Sequence, residues 1–306
     1  MKKIISIILC VFLALSFAGC DTAKTENEKL TIIASVFPGY DFARQIVGDM
    51  GEVSLLLPPG AESHSFEPTP KDIIAIQNCD LFIYTGGESD SWIEDILSSM
   101  DNPPAVFLMM EAVEVVHSVH EHDEINLSSH IEVDEHVWTS PVNAMEIVNA
   151  LAVKISSLDS KNSQAYRKNT SEYLAKLEEL HNSYVEVTDN AKNKTIIMGD
   201  RFPFRYLTKE YNLEYMAAFP GCSADSEPGA KTVSQLIEKI KAYNIPVVFH
   251  IEFSNKKTAE ALSEATGAQI RLLHSCHNVT QNELLNNITY IDLMEQNLNN
   301  LKEALL

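Results

Sequence analysis

The sequence predicts an α/β protein of two Rossmann-like lobes, each with a parallel-type sheet, joined by a long helical linker. Three observations predict it. Short apolar runs alternate with helix-period segments in both halves of the chain, the pattern of repeated βαβ units. Between the halves, residues 142–192 contain no Pro or Gly and are rich in Lys/Glu pairs at helical spacing. The 306 residues, 45% of them apolar, are enough for two cores of ordinary size.

In chain order, Leu30 to Val36 (LTIIASV) reads as a buried strand, Asp41 to Gly48 as a helix and Val53 to Leu57 as a second strand. Pro58-Pro59-Gly60 turns that strand into a loop. Lys71 to Asn78 is helical. Leu81 to Thr85 and Ala105 to Met109 are further buried strands, the first followed by Gly86-Gly87. Ser140-Pro141 starts a helix, and a break near Asp159-Ser160 divides the helical stretch in two. The second piece, from Asn162, is long enough for a rod of about 40 Å. The alternation then resumes with strands at Thr195–Met198, Val247–Ile251 and Ile270–Leu273. Helices fall at Phe204–Tyr211, Val233–Tyr243, Lys257–Thr266 and Tyr290–Ala304. The expected boundaries are a first lobe over 30–158, a linker over 159–192 and a second lobe over 193–306. No sequence repeat relates the lobes.

The N-terminus carries a compartment signal. Lys2-Lys3, an apolar run from Ile4 to Phe17 and Ala18-Gly19-Cys20 have the form of a signal peptide over residues 1–19. Cysteine directly after Ala-Gly looks like the lipidated residue of a bacterial lipoprotein, and the polar stretch 20–29 reads as its tether. The expected location is the outer face of a Gram-positive-type cell membrane, held through a lipid on Cys20 alone. Loss of Lys2 and Lys3 with the leader takes the net charge from −20 to −22. So acidic a surface disfavours nucleic acid and attracts cations.

Histidine placement points to the chemistry. His64 follows a strand in PPGAESHSFEPTPKDI, His136 precedes a helix in VDEHVWTSPVNA, and His274 follows a strand in RLLHSCHNVT. Ligands of open α/β sheets bind at the carboxyl ends of strands. A cleft between lobes brings such loops together. Imidazole with carboxylate is a suitable set for tetrahedral zinc, and several imidazoles favour zinc over harder ions.

GAESHSFEPTPKDI, GGESDSWIEDI and DEHVWTSPVNA resemble, in order and spacing, the motifs of the zinc- and manganese-binding solute-binding proteins of ABC importers (cluster A-I). The resemblance covers nearly the whole mature chain and implies a metal site in the cleft between the lobes. It implies metal-binding roles for His64 and His136, and VVFHIEFSNKKTAEALSEATGA matches the late strand–helix segment that leads to a further ligand at His274, where Asp is usual. The remaining family position falls in MGDRFPFRYLTKEY on Arg201, whose guanidinium cannot ligate, so Asp200 beside it is the expected substitute. Glu252, His250 and His277 are held in reserve. The transported ligand implied is Zn²⁺, with Mn²⁺ or iron as alternatives. The implied partners are an ABC permease and the metal ion, with no nucleic acid and a monomeric chain.

Two further features are expectations. Cys222 and Cys276 are the candidate disulfide pair, with thiolate ligation as the alternative. The His- and acid-rich run His117 to His136, with His120, His122 and His130, resembles the His- and acid-rich loop of zinc-type members; a weak zinc-collecting site and a plain solvated disordered loop are equal alternatives for it. A zinc hydrolase is the first rival class. The chain has no H-E-x-x-H or G-x-S-x-G motif, and nothing places Glu62 or Glu135 as a base, so no enzyme is expected. A binder of an organic solute and an adhesin on the same scaffold are the other rivals.

Overall fold

The computed structural model describes residues 29–118, 132–219 and 228–306. The expected signal peptide, the expected lipidation site Cys20, nearly all of the expected tether, His120, His122, His130 and Cys222 lie outside these residues. Within the described residues no helix is long and apolar enough to cross a membrane.

The first lobe is a four-stranded parallel sheet of β1 (Leu30–Ala34), β2 (Gly51–Leu55), β3 (Leu81–Tyr84) and β4 (Ala105–Leu108), in the order β2-β1-β3-β4. The second is built from β7 (Thr195–Met198), β8 (Glu214–Ala217), β9 (Val247–His250) and β10 (Gln269–Leu272), also all parallel, in the order β10-β9-β7-β8. Read from the other edge, this is the same topology. Two unlike sequences thus build one arrangement, with a switch point beside the first strand of each sheet. Strands β3, β7 and β9 are buried along their whole length and correspondingly apolar, as interior parallel strands must be. A short antiparallel pair, β5 (His117–Ser118) with β6 (Glu132–Val133), lies between the first sheet and the linker.

The helices of the first lobe are α1 (Phe37–Val47), α2 (Pro70–Asn78) and α3 (Ser91–Ser98). Helix α4 (Pro141–Leu158) leads from the first lobe to the long linker helix α5 (Ser163–Asp189), and the second lobe carries α6 (Arg205–Glu210), α7 (Ala230–Tyr243), α8 (Lys257–Thr266), α9 (Gln281–Leu285) and α10 (Tyr290–Leu305). Two sequence motifs prove to be helix starts. In FEPTPKD, Thr69 and Asp72 close a capping box around Pro70. In TSPVN, the Ser140 hydroxyl accepts from Val142 and Asn143 N–H, with Pro141 in the first turn. Each fixes where a helix begins just after a histidine-bearing segment.

Helix α5 buries Tyr166, Thr170, Tyr173, Leu177, Leu180, Tyr184 and Val187. Their alternating steps of four and three residues make one continuous seam. That seam packs on α4, on α1 of the first lobe and on α10. The main apolar core is accordingly continuous from Ile32 and Ile83 through Leu151, Tyr173 and Tyr184 to Ile196, Phe249 and Leu298. Smaller clusters cover the outer faces, around Phe82 under α2 and α3 and around Val248 under α7 and α8. Each sheet therefore shares one face with a common helical layer, which resists hinge opening.

A buried polar node reinforces this layer. Asp41 on α1, fully buried, accepts from Arg44 Nε (2.6 Å), the Tyr173 hydroxyl (3.3 Å) and the Tyr290 amide (2.7 Å). Arg44 also donates to the Ile288 carbonyl. One carboxylate thus ties the first lobe, the linker and the last helix.

The strands expected at Leu81, Ala105, Thr195, Val247 and Ile270 occur close to where periodicity puts them. Strand β8 and helices α3 and α9 escape the sequence reading. β8 is an edge strand with Glu214 and Tyr215 exposed, so it lacks an apolar run. Helices α3 and α9 are short.

Candidate metal centre

The carboxyl-end loops of both sheets meet at a cleft lined by Glu62, His64, His136, Arg201, Glu252 and His277 among others, enclosing a space of about 20 Å³. That is room for one small ion or water. His64, Glu135, His136 and His277 each offer a ligand atom, all within 4.8 Å of one another. Ring centroids are 5.9 Å apart for His64–His136, 5.1 Å for His64–His277 and 4.7 Å for His136–His277.

The first lobe supplies three of the four groups. His64 lies in a 3₁₀ turn, Ser63–Ser65, after β2. Its Nδ1–H donates to the Ser89 hydroxyl (2.7 Å), and that hydroxyl donates to Glu135. Glu135 also accepts the Ser89 amide at 3.2 Å. Gly87 makes the fit possible, because a Cβ there would stand 2.2 Å from Glu135 Oε2. His136 is buried, with Nδ1 at 2.8 Å from Asp134 Oδ1. A carboxylate on one imidazole nitrogen sets the tautomer and presents the other as a lone pair, the usual support of a metal-binding histidine.

The second lobe supplies His277. Cys276 before it adopts a left-handed backbone (φ 64°), which turns the chain toward the cleft. Glu252, after β9, accepts the Ser275 amide (2.8 Å) and its hydroxyl. The Ser275 oxygen in turn accepts the His277 amide at 3.3 Å.

The electrostatics disfavour protonation of His64 and His277. Burial, then the neighbouring His136 charge, lowers the pKa of His64. The same two causes, with His64 added, hold His277 well below the ordinary histidine value. Burial alone would raise Asp134, but His136 and Arg205 more than offset it and leave Asp134 below the usual carboxylate range. Asp90, which accepts the Thr85 and Gly86 amides, is pushed up to about 6 by burial.

Of the four expected ligands, the structure brings together His64 and His136, and it places His274 and Asp200 outside the group. His274 is buried just past β10. Asn297 clamps both its amide (2.6 Å) and its carbonyl (2.8 Å), and its ring Nδ1 accepts the Cys276 amide (2.9 Å). The nitrogen with a lone pair is thereby occupied, and the other carries the proton. Asp200 is buried under the cleft, with Oδ1 accepting the Arg201 amide at 2.9 Å. Arg201 reaches across the cleft to Glu62 at 2.8 Å. Among the reserves, His277 joins the group. Glu252 fastens the Ser275 turn, and His250, buried at the end of β9, spends Nδ1 on the Ile251 carbonyl (2.8 Å). Cys276 is buried and forms no disulfide among the described residues, which do not include Cys222, and burial raises its thiol pKa.

Sequence reasoning missed Ser89, Asp134 and Glu135 as supports. The string Asp134-Glu135-His136 was the available signal: two adjacent acids serve two different histidines.

Comparison with known proteins agrees with this architecture. Residues 32–304 match the family model described as ZnuA, the periplasmic component A of a zinc-uptake complex. The chain is 35% identical over 311 residues to the high-affinity zinc uptake system protein ZnuA of Bacillus subtilis, covering 98% of this chain and 96% of that protein. It is 31% identical to the zinc-binding lipoprotein AdcA of Streptococcus pneumoniae over 99% of this chain, but spans only 61% of AdcA's length. The Zn(II)-bound ZnuA-like domain of Streptococcus pneumoniae AdcA superposes with a TM-score of 0.76 at 28% identity, covering 90% of this chain and 99% of that domain. With the matched region running through both lobes and the cleft between them, this chain belongs to the ZnuA family of zinc-uptake components.

Proposed function

We propose that the protein captures Zn²⁺ outside the cytoplasmic membrane and delivers it to the permease of an ABC importer, acting as a monomer anchored through a lipid on Cys20. The observation that carries this reading is the convergence of His64, His136 and His277 with Glu135 in one closed cleft. Three imidazoles and one carboxylate meet zinc's preference for four nitrogen and oxygen ligands. In this reading His64, His136 and His277 bind the ion and Glu135 completes the charge balance. His274 and Asp200 shape the second lobe behind them. The nitrogen-rich donor set favours zinc over manganese, which prefers oxygen.

The ion is cargo, so the chain's own residues need only bind, orient and exclude water. Ser89, Asp134 and Glu252 orient the binding groups, and the small cavity leaves little room for a co-substrate. Titration of metal-free mature protein with Zn²⁺ and Mn²⁺ tests the proposal. One zinc per chain with manganese bound much more weakly is expected, and equal or stronger manganese binding would contradict it.

A further inference from the structure

Both histidine-bearing segments of the first lobe are bonded to one stretch of the second lobe, residues 275–279, which itself carries His277. The fully buried Asn278 donates through its side-chain amide to two carbonyls of the His64 loop, Pro58 (2.7 Å) and Ala61 (2.9 Å). Its own oxygen accepts the Val279 amide at 2.8 Å, which fixes the orientation of the group. Beside it the Gly60 amide donates to the Val279 carbonyl (2.9 Å), and the Phe37 amide at the start of α1 donates to the His277 carbonyl (3.0 Å). On the other side, the Trp138 indole N–H, two residues past His136, donates to the Ser275 carbonyl at 2.8 Å. Tyr290 then holds the Trp138 carbonyl through its hydroxyl at 2.6 Å.

We propose that segment 275–279 is a preassembled hub that fixes the spacing of the three histidines before metal arrives, and that Asn278 is its positioning residue. The inference rests on the zinc reading above and adds to it. Zinc would then be captured without lobe closure, and its release would require the hub to shift relative to the His64 loop. The reasoning is geometric. Asn278 adjoins His277 in sequence and grips the loop that presents His64, so one buried amide links a second-lobe ligand to a first-lobe ligand. Its partners are main-chain carbonyls, which a carboxylate in the same place would repel. Loss of such an outer support typically weakens a metal site about ten- to hundredfold.

The test compares zinc release from the mature chain into excess chelator for wild type, Asn278→Asp, Asn278→Leu and Tyr184→Phe. Tyr184 makes an equally buried hydrogen bond, to the Met294 carbonyl (2.8 Å), between the linker and the last helix. It serves as the matched structural control. Zinc release at least about tenfold faster in both Asn278 variants is expected, with an altered visible spectrum of bound Co²⁺. Tyr184→Phe should lose some thermal stability yet release zinc at the wild-type rate. Wild-type release from Asn278→Asp, or the same change in Tyr184→Phe, would overturn the hub. Failure of the wild type to bind zinc would instead remove the zinc reading. A second measurement needs no variant: amide exchange at Gly60 and Phe37 in the wild type. Equal protection with and without zinc is expected, and loss of protection in the zinc-free protein would show that the hub forms only on binding.

Discussion

The two lobes repeat one device with different consequences. In the first, Glu135 clamps Ser89 by amide and hydroxyl, and Ser89 holds the His64 ring. In the second, Glu252 clamps Ser275 in the same two-point manner, and Ser275 holds the His277 backbone. The first lobe thus orients an imidazole directly, whereas the second orients a turn that carries one. The first is a site built on helix starts, with α2 and α4 capped just after His64 and His136. The second is built on an irregular loop whose shape depends on a left-handed cysteine and a buried asparagine. Specificity held by ring hydrogen bonds should therefore be sensitive to first-lobe changes. Release should be sensitive to second-lobe ones.

The largest expected effect is loss of a first-lobe imidazole. His64→Ala or His136→Ala should weaken zinc binding by more than about a hundredfold, beyond what an outer support costs. Competition titration measures it, and a change under tenfold would break the assignment of the first lobe as the main grip. Asp134→Asn keeps the shape but replaces the carboxylate that fixes the His136 tautomer. A loss of about ten- to hundredfold in affinity is expected, with a narrowed preference for zinc over manganese.

The pH response is smaller and has a defined sign. His64 and His277 sit below the ordinary value of 6.5 when folded, chiefly through burial. Unfolded imidazoles take up protons first as pH falls, so the metal-free fold keeps its full stability above 6.5 and loses it as pH drops through the depressed folded values. Zinc affinity should be nearly constant from about pH 7.5 to about 6.5 and decline by about pH 5. A decline beginning well above 6.5 would mean that the imidazoles are not shielded as the geometry implies. The smallest effect belongs to Glu62→Gln. The Arg201–Glu62 pair bridges the lobes, but the Glu62 side chain is 38% exposed. Its loss should change zinc affinity by no more than about fivefold, and less at high salt.

The same contrast explains what the sequence disclosed. The lobes, the long linker and most strands were legible because continuous apolar runs and an unbroken helical stretch have few other readings. His64 and His136 stood in motifs whose helix caps leave a local pattern. His277 was harder to place. His274 follows its strand directly and occupies the position a ligand often takes, yet its backbone is gripped by Asn297 and its ring turned onto Cys276. The reversal at Cys276 that carries His277 to the cleft arises from tertiary contacts, and neither residue type nor spacing announces it. Asp200 was expected because Arg201 cannot ligate, but the arginine's partner is Glu62 across the cleft, a contact over 139 positions of sequence that no local pattern reveals.

The most direct test of the central claim is a zinc titration of His277→Ala beside His274→Ala. The convergent cluster predicts that His277→Ala loses tight binding while His274→Ala keeps it with reduced thermal stability. Tight binding retained by His277→Ala and lost by His274→Ala would contradict the proposed site.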